Sequence, residues 1–229
     1  MIELNDVRFR WHPQGPLVLN IEKFKVNTGE RVFIQGKSGS GKSTLLSMLG
    51  GIIIPETGLV KVNGTNFAQL KSKERDAFRA DHIGIIFQLF NLIPYLSPIE
   101  NTTLPCRFSK NRETVAIGKS NSVDGEARRL LLQLHLQDEA TINSPAFKLS
   151  IGQQQRVAAA RSLIGSPQLI IADEPTSALD FDVRDTFMNL LFNEIATAGA
   201  TLIFVSHDPN LANHFDRHIK ISDINLATD

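Results

Sequence analysis

A glycine- and serine-rich stretch carries the clearest chemistry in this sequence. Residues 36–43 match the pattern G-x-x-x-x-G-K-[ST] in full. Glycines let the backbone curl so that successive N–H groups point at phosphate oxygens. In this pattern Lys42 bridges the β- and γ-phosphates of a nucleotide, Ser43 ligates Mg²⁺, and Thr44 reaches the α-phosphate. The stretch predicts a loop that binds a nucleoside triphosphate, formed by Gly36, Lys37, Ser38, Gly39, Ser40, Gly41, Lys42 and Ser43.

The residues on either side of this loop provide the elements that its chemistry requires. Residues 31–35 are a short, mostly apolar run bounded by glycines, which predicts a buried parallel strand. Residues 42–49 have a helical pattern. Bound phosphates would therefore lie at a helix N-terminus, where the helix dipole adds partial positive charge.

Two neighbouring carboxylates follow another apolar run. Asp173 and Glu174 come at the end of residues 169–172, which are predicted to form a buried strand. Side chains alternate along a strand, so the two carboxylates point different ways. Asp173 is predicted to hold Mg²⁺ through water, and Glu174 to polarise an attacking water as a general base. With the loop, this pair predicts a nucleoside triphosphatase.

A second anion-seeking element lies far along the chain, at residues 149–153, Leu-Ser-Ile-Gly-Gln. Ser150 is a good N-cap for the predicted helix 152–164, and Gly152 allows a close approach of backbone. A helix N-terminus binds anions readily. Because one nucleotide already has its loop at 36–43, we expect a site shared between two copies of the chain.

Several other segments show strand or helix patterns. Together they favour an α/β fold with a mostly parallel sheet. The predicted strands are 2–9, 17–26, 83–87 and 201–205, and a further predicted helix spans 124–136.

The predicted domain organisation is a single domain over residues 1–229. Residues 1–90 and 164–229 are assigned to a nucleotide-binding core with a β subdomain, and 91–163 to an inserted helical subdomain. Within the latter, residues 107–122 look like a loop rich in basic side chains. Either solvent or a partner protein would face that loop.

Composition limits the kind of protein this is. The chain has 229 residues, 42% of them hydrophobic, enough for a real core. Basic and acidic residues balance at 24 each, which argues against nucleic acid as a partner. The single Cys106 fits a reducing compartment. No signal-peptide pattern is present, and the apolar runs fall short of the roughly 20 residues of a membrane span. We therefore expect a soluble, cytoplasmic chain.

The order of these motifs resembles the ATP-binding-cassette family. Its usual signature is L-S-G-G-Q, and this chain has Ile151 in place of the first glycine. The resemblance implies a P-loop NTPase core with a mostly parallel sheet, an N-terminal antiparallel β subdomain and an inserted α-helical subdomain. It also implies a homodimer, in which Ser150, Gly152 and Gln153 of one copy contact the ATP bound by the other.

The same resemblance assigns four further residues. Gln88 would sense Mg²⁺ and the attacking water, and His207 would contact the γ-phosphate. Asp180 would lie in the loop through which the two copies touch. Trp11 would stack on adenine; core packing of Trp11 is the alternative, as is Phe9 for the stacking ring.

The stretch 88–101 is rich in large apolar residues and is either hidden core or a groove for a partner helix. It is most similar to the lipoprotein-release and macrolide-export branch of the family (LolD/MacB/FtsE-like). This resemblance implies an integral-membrane permease partner that contacts the region after Gln88, and a peripheral position on the cytoplasmic face of the inner membrane. Two rivals are a soluble cassette ATPase acting in DNA repair or translation, and a monomeric P-loop kinase or switch GTPase.

Overall fold

The computed structural model describes residues 1–177 and 181–227, and the side chains of 181–183 are excluded from the description. The chain folds as two compact units. The first unit comprises Met1–Arg79 and Thr201–Asp229, and the second unit comprises Ala80–Ala200. Helix α2 (Ser72–His82) runs along the chain from the first unit into the second.

An antiparallel sheet forms one part of the first unit. Apolar and polar residues alternate along its first strand on either side of a register shift between Asn5 and Arg8. The apolar residues Ile2, Leu4, Val7 and Phe9 are buried, while the residues between them are more exposed. The sheet has the strand order β2-β1-β4-β5. Its strands are β1 (Ile2–Phe9), β2 (Leu19–Val26), β4 (Thr57–Val62) and β5 (Thr65–Asn66).

Parallel strands form the other part of the first unit. Strand β3 (Arg31–Gln35) lies between β8 (Thr201–Ser206) and β9 (Arg217–Lys220) and pairs with both in parallel. The three central residues of β3 are fully buried, as expected of a strand covered on both faces. Gln35 pairs with Ser206, so the chain leaves both strands at the same level. Helix α1 (Lys42–Leu49) follows β3, as predicted.

The second unit combines two parallel strands with most of the helices. Ile83 pairs with Leu169, in parallel, at the start of the two strands. Ser97, Ser109, Ser122 and Ser150 each begin a helix by accepting a backbone N–H with the side chain. The strands are β6 (Ile83–Ile86) and β7 (Leu169–Asp173); the helices are α3 (Pro98–Phe108), α4 (Lys110–Ser120), α5 (Val123–Gln133), α6 (Glu139–Ile142), α7 (Ile151–Leu163) and α8 (Phe181–Ala198).

The prediction of a basic loop at residues 107–122 is wrong. Most of this stretch is helix α4, which begins after Ser109 because the Ser109 hydroxyl accepts the backbone N–H of Arg112. The basic side chains of the stretch are not all solvated. Arg112 is 1% exposed, whereas Lys119 donates to the hydroxyl of Ser166. The helix ends where Asn121 takes a left-handed conformation.

The predicted helical subdomain, 91–163, falls inside the second unit, and its bounds stay a prediction. Cys106 is buried in α3, and burial raises the pKa of its thiol to about 11. Across residues 1–177 and 181–227, no helix combines the length and the apolar character needed to cross a bilayer.

Candidate functional site

The glycine-rich loop after β3 closes around the side chain of its own lysine. The Lys42 ammonium donates to the carbonyl oxygens of Gly36 and Lys37, at 2.7 Å each. Lys42 is only 8% exposed, so the loop holds its charge at the start of α1. Ser43 and Thr44 follow in the first turn of that helix. A phosphate entering the loop would meet this ammonium together with the helix N-terminus.

Two glycines of the loop are required by the atoms packed around them. A Cβ atom at Gly36 would collide with the side chain of Ile221. Gly41 has a φ of +91°, and a Cβ atom there would lie 2.9 Å from the carbonyl oxygen of Val18. Both positions therefore exclude larger residues, in agreement with the glycines of the sequence motif.

A cavity of about 870 Å³ opens beside the loop. This volume lies within the range of roughly 300–1,000 Å³ that is usual for small-ligand sites. All of its lining residues belong to the first unit. They are Pro16, Leu17, Val18, Gln35, Gly36, Lys37, Ser38, Gly39, Ser40, His207, Lys220, Ile221, Ser222 and Ala227.

The cavity brings His207 together with the glycine-rich loop. The cause is the pairing of Gln35 with Ser206, which makes β3 and β8 end at the same level. Gly36 and His207 are the next residues on the two strands. The carboxyl ends of neighbouring parallel strands are where ligands gather in such sheets.

Trp11 lies in the connection between β1 and β2, but it does not line the cavity. Its ring is 56% exposed and packs edge-on against Phe9, with ring centroids 5.1 Å apart. Core packing, the alternative expected for Trp11, is therefore wrong. Phe9 is 8% exposed and lies in the core, so of the two rings only that of Trp11 faces solvent.

The two adjacent carboxylates lie where β7 ends. Asp173 is the last residue of the strand, and Glu174 follows with a φ of +47°. A left-handed glutamate costs of order 1–3 kcal/mol, and such strain is concentrated at functional sites. The side-chain amide of Gln155 donates to the carbonyl oxygen of Pro175 and so fixes the residue after Glu174.

The start of α7 is built by the residues of the Leu-Ser-Ile-Gly-Gln stretch. The Ser150 hydroxyl accepts from the backbone N–H of Gln153 at 3.3 Å, and the Gln153 side chain accepts from the Ser150 N–H at 2.8 Å. This is a capping box. Since the hydroxyl acts as an acceptor here, its own proton stays available for an anion. Ser150 and the neighbouring Ile151 are exposed, Ile151 by 55%.

Three consecutive glutamines at the start of α7 have three different contacts. Gln153 completes the capping box, and Gln154 donates to the carbonyl oxygen of Leu149. Gln155 is buried and reaches Pro175. Each of the three therefore has a defined contact within its own chain, which argues against glutamines that merely fill a surface.

An irregular segment follows β6 and contains Gln88, which is exposed. Phe90 and Asn91 both take left-handed conformations. Arg161 of α7 donates to the carbonyl oxygens of Asn91 at 2.6 Å and of Phe90 at 2.5 Å. Burial lowers the pKa of Arg161 to about 10, so its guanidinium remains charged at neutral pH. The segment after Gln88 is thereby fastened to the helix that Ser150 begins.

We expect Arg161→Leu to lower the free energy of unfolding by about 1–3 kcal/mol, because two carbonyl groups lose a charged donor. Urea unfolding at neutral pH measures this difference. The matched control is Arg156→Leu in the same helix, which removes one bond, to the carbonyl oxygen of His135 at 3.2 Å. An equal loss in the two variants would contradict the anchoring role of Arg161.

The predicted site residues divide between the two units. Residues 36–44 and His207 belong to the first unit; Gln88, Asp173, Glu174 and 150–153 belong to the second. Asp180 lies outside the described residues. Within the described chain, no group of three or more His, Cys, Asp and Glu side chains could hold a metal ion.

Two side chains around the site were missed from the sequence, Gln155 and Arg161. For Arg161 a signal exists, since it is a lone charge within the apolar run 157–164. Gln155 stands among glutamines of similar appearance, and nothing local distinguishes the buried one.

Comparison with known proteins gives consistent results. The model of the family described as ABC transporter matches residues 19–177. ABC transporter ATP-binding protein Rv0986 of Mycobacterium tuberculosis is 42% identical over 205 residues, which cover 89% of this chain and 79% of the relative. Lipoprotein-releasing system ATP-binding protein LolD 2 of Rhodospirillum rubrum is 38% identical, covering 92% of this chain and 87% of the relative.

Larger proteins contain a similar segment. Macrolide export ATP-binding/permease protein MacB of Haemophilus ducreyi is 35% identical over 100% of this chain, which spans 32% of that relative. Among solved structures, the dimeric post-hydrolysis state of the ATP-binding cassette MJ0796 bound to ADP and Pi superposes with a TM-score of 0.85. It is 35% identical and covers 98% of this chain and 94% of the other. The predicted fold class is thereby confirmed.

Proposed function

This chain belongs to the ABC transporter family as an ATP-binding, ATP-hydrolysing subunit, and on that premise we propose that two copies close head to tail around two ATP to drive a separate transmembrane permease. One observation carries the proposal. All the residues that line the cavity beside the phosphate loop belong to the first unit. A second helix N-terminus that can bind an anion, at Ser150, is exposed in the second unit. A partner's nucleotide would give that helix start a ligand.

The first half of the proposed site binds ATP. Residues 36–44 hold the phosphates, with Lys42 moving from its loop carbonyls to the β- and γ-phosphates. The exposed ring of Trp11 stacks on adenine, a contact worth roughly 1–3 kcal/mol for nucleobases on aromatic rings.

Mg²⁺ fits the oxygen donors that the chain offers. Ser43 is exposed in the first turn of α1, and its hydroxyl would bind the ion directly. Gln88 would supply an amide oxygen, and Asp173 would hold the ion through water. Such hard oxygen donors, with water completing the shell, are typical of Mg²⁺ sites beside phosphates. When bound, Mg²⁺ would supply positive charge that neutralises the phosphates.

Hydrolysis needs a base and a set of groups that stabilise the transferred phosphoryl group. Glu174 takes the proton of the attacking water. His207, which lines the cavity, contacts the γ-phosphate, and Gln88 orients the water. Most of the rate acceleration comes from positive charges and N–H groups around the γ-phosphate.

The second half of the site comes from the other copy. Ser150 donates its hydroxyl proton to the γ-phosphate, with Gly152 and Gln153 contacting the same nucleotide and Asp180 contacting the facing copy. Ile151 replaces a glycine of the usual signature, and its side chain is exposed. The copies separate once hydrolysis removes the γ-phosphate that both of them bind.

The permease binds beside the segment after Gln88. Leu89 is 83% exposed, Tyr95 74% and Phe147 63%, unusual exposure for large apolar side chains. The segment is held in one conformation by Arg161 and by the Phe147 N–H, which donates to the Pro94 carbonyl oxygen. MacB combines ATP-binding and permease parts in one chain, and this chain corresponds to about a third of it (32%).

This placement puts the chain peripherally on the cytoplasmic face of the inner membrane. Its ATP cycle would power lipoprotein release, export or force transmission of the LolD/MacB kind. No nucleic acid takes part, in keeping with the balanced charge, 24 basic against 24 acidic residues.

The experiment that tests dimerisation is ATP hydrolysis measured over a wide range of protein concentration. We expect the activity per subunit to rise with concentration and then to level off as the dimer saturates, because neither copy holds a whole site. A monomeric P-loop enzyme would show the same activity per subunit at every concentration, and that result would contradict the proposal.

A further inference from the structure

The end of the chain forms part of the cavity beside the phosphate loop. Residues 221–227, here called the C-terminal tail, follow β9. Ile221, Ser222 and Ala227 of the tail line the cavity, together with Lys220. Ile221 also packs so closely over Gly36 that a Cβ atom there would collide with it. The tail is therefore in direct contact with the residues that bind phosphate.

One side chain of the tail connects three parts of the chain. Asn225 is 0% exposed, and its amide nitrogen donates to the carbonyl oxygens of Val18 at 2.9 Å and of Ser40 at 3.3 Å. Its amide oxygen accepts from the backbone N–H of Asn20 at 2.8 Å and of Ala227 at 3.3 Å. The side chain thus uses both its donors and accepts at its oxygen, the full set that an amide offers in a buried position.

Two partners of Asn225, Ser40 and Val18, belong to two different segments that line the cavity. Ser40 is in the phosphate loop, whereas Val18 continues the wall of Pro16 and Leu17, which lies on the chain before β2. Gly41 lies beneath this connection, because a Cβ atom there would lie 3.2 Å from the Asn225 amide nitrogen and 2.9 Å from the Val18 oxygen. Glycine at position 41, which has no side chain, thus leaves room for the hydrogen bonds from Asn225 to Val18 and Ser40.

We propose that Asn225 is a positioning residue that fixes the distance between the phosphate loop and the wall formed by Pro16, Leu17 and Val18, and that this wall receives the nucleoside. The inference rests on nucleotide binding in this cavity. A ligand such as ATP must contact both walls at once, so its affinity depends on their being held at the right spacing. A ligand that contacts the phosphate loop alone does not depend on that spacing.

The test compares ATP with inorganic tripolyphosphate by titration calorimetry on the full chain and on Asn225→Leu, which keeps the number and branching of the heavy side-chain atoms and removes the hydrogen bonds. We expect the Kd for ATP to rise about tenfold in the variant, equivalent to about 1.4 kcal/mol. The Kd for tripolyphosphate should change by less than about twofold, equivalent to less than about 0.5 kcal/mol, because tripolyphosphate contacts the phosphate loop alone. Asn225→Thr serves as a milder second variant.

The control is Asn66→Leu, in the same unit. Asn66 bonds only locally, to the backbone N–H of Ala68 at 3.1 Å, and does not line the cavity. Asn66→Leu should leave the Kd for ATP and the Kd for tripolyphosphate unchanged. The proposal is overturned if ATP affinity is unchanged in folded Asn225→Leu, if both ligands weaken equally, or if neither variant at position 225 folds, since Asn225 would then be a stability residue. A wild-type chain that failed to bind ATP would instead overturn the function itself.

Discussion

Glu174→Gln will bind ATP and dimerise with it, yet hydrolyse it at least about a hundredfold more slowly than the wild type, since a general base contributes about 10²–10⁴-fold. Glutamine has nearly the same shape as glutamate but cannot accept the proton of the attacking water. The left-handed backbone at this position, with a φ of +47°, is equally strained in both residues. Phosphate release in single-turnover reactions measures the loss, and gel filtration with ATP reports the dimer.

The control for this prediction is Glu139→Gln. Glu139 is an exposed carboxylate of the same unit, paired with Arg128 at 2.6 Å, and its loss should leave hydrolysis unchanged. Wild-type turnover in Glu174→Gln would remove Glu174 from the role of base. Loss of ATP binding in Glu174→Gln would also contradict this role, because the substitution leaves the phosphate loop intact.

Ser150→Arg will abolish the ATP-dependent dimer and reduce hydrolysis at least about a hundredfold, as expected when a donor to the reacting phosphate is lost and its place is blocked. Binding of ATP by the monomer should persist, because the residues lining the cavity all belong to the first unit. The measurements are the Kd for ATP, the sedimentation of the ATP-bound protein and its rate of phosphate release.

Ser122→Arg is the matched control for Ser150→Arg. Ser122 caps α5 in the same way, accepting the backbone N–H of Gly125 at 2.9 Å, and is also exposed. Loss of that cap costs about 1 kcal/mol of stability without affecting the reaction. Equal loss of hydrolysis in both variants would show that capping alone matters, and would contradict a contact with a partner's nucleotide.

The sequence predicts most strongly where local pattern and chemistry agree. The sequence predicts helix 42–49 with the same bounds that the structure has, because the phosphate motif fixes the start of the helix. The strands starting at Ile83, Leu169 and Thr201 were found because each is an apolar run that a polar residue ends. Helix 124–136 was predicted too long, since His135 turns left-handed and ends α5 early.

Other features have no local pattern. The sequence predicts a loop where the structure has helix α4. The reason is that Arg112, one of the buried side chains of this helix, is charged, so the apolar periodicity of a helix is interrupted. The hydrogen bond from Asn225 to Val18 joins residues that are 207 positions apart, and no spacing in the sequence shows it. The capping box at Ser150 could be expected from its residue types, but the anchoring of residues 90 and 91 by Arg161 depends on the fold alone.

The most direct test of a nucleotide shared between two copies is a mixing experiment with Lys42→Ala and Ser150→Arg. Each variant alone lacks one half of every site and should hydrolyse ATP at a few per cent of the wild-type rate or less. In a mixed dimer one site pairs the intact loop of one copy with the intact Ser150 of the other. We predict that mixing restores a substantial fraction of wild-type activity. A mixture as inactive as its two components would contradict the account, and so would full activity of Ser150→Arg alone.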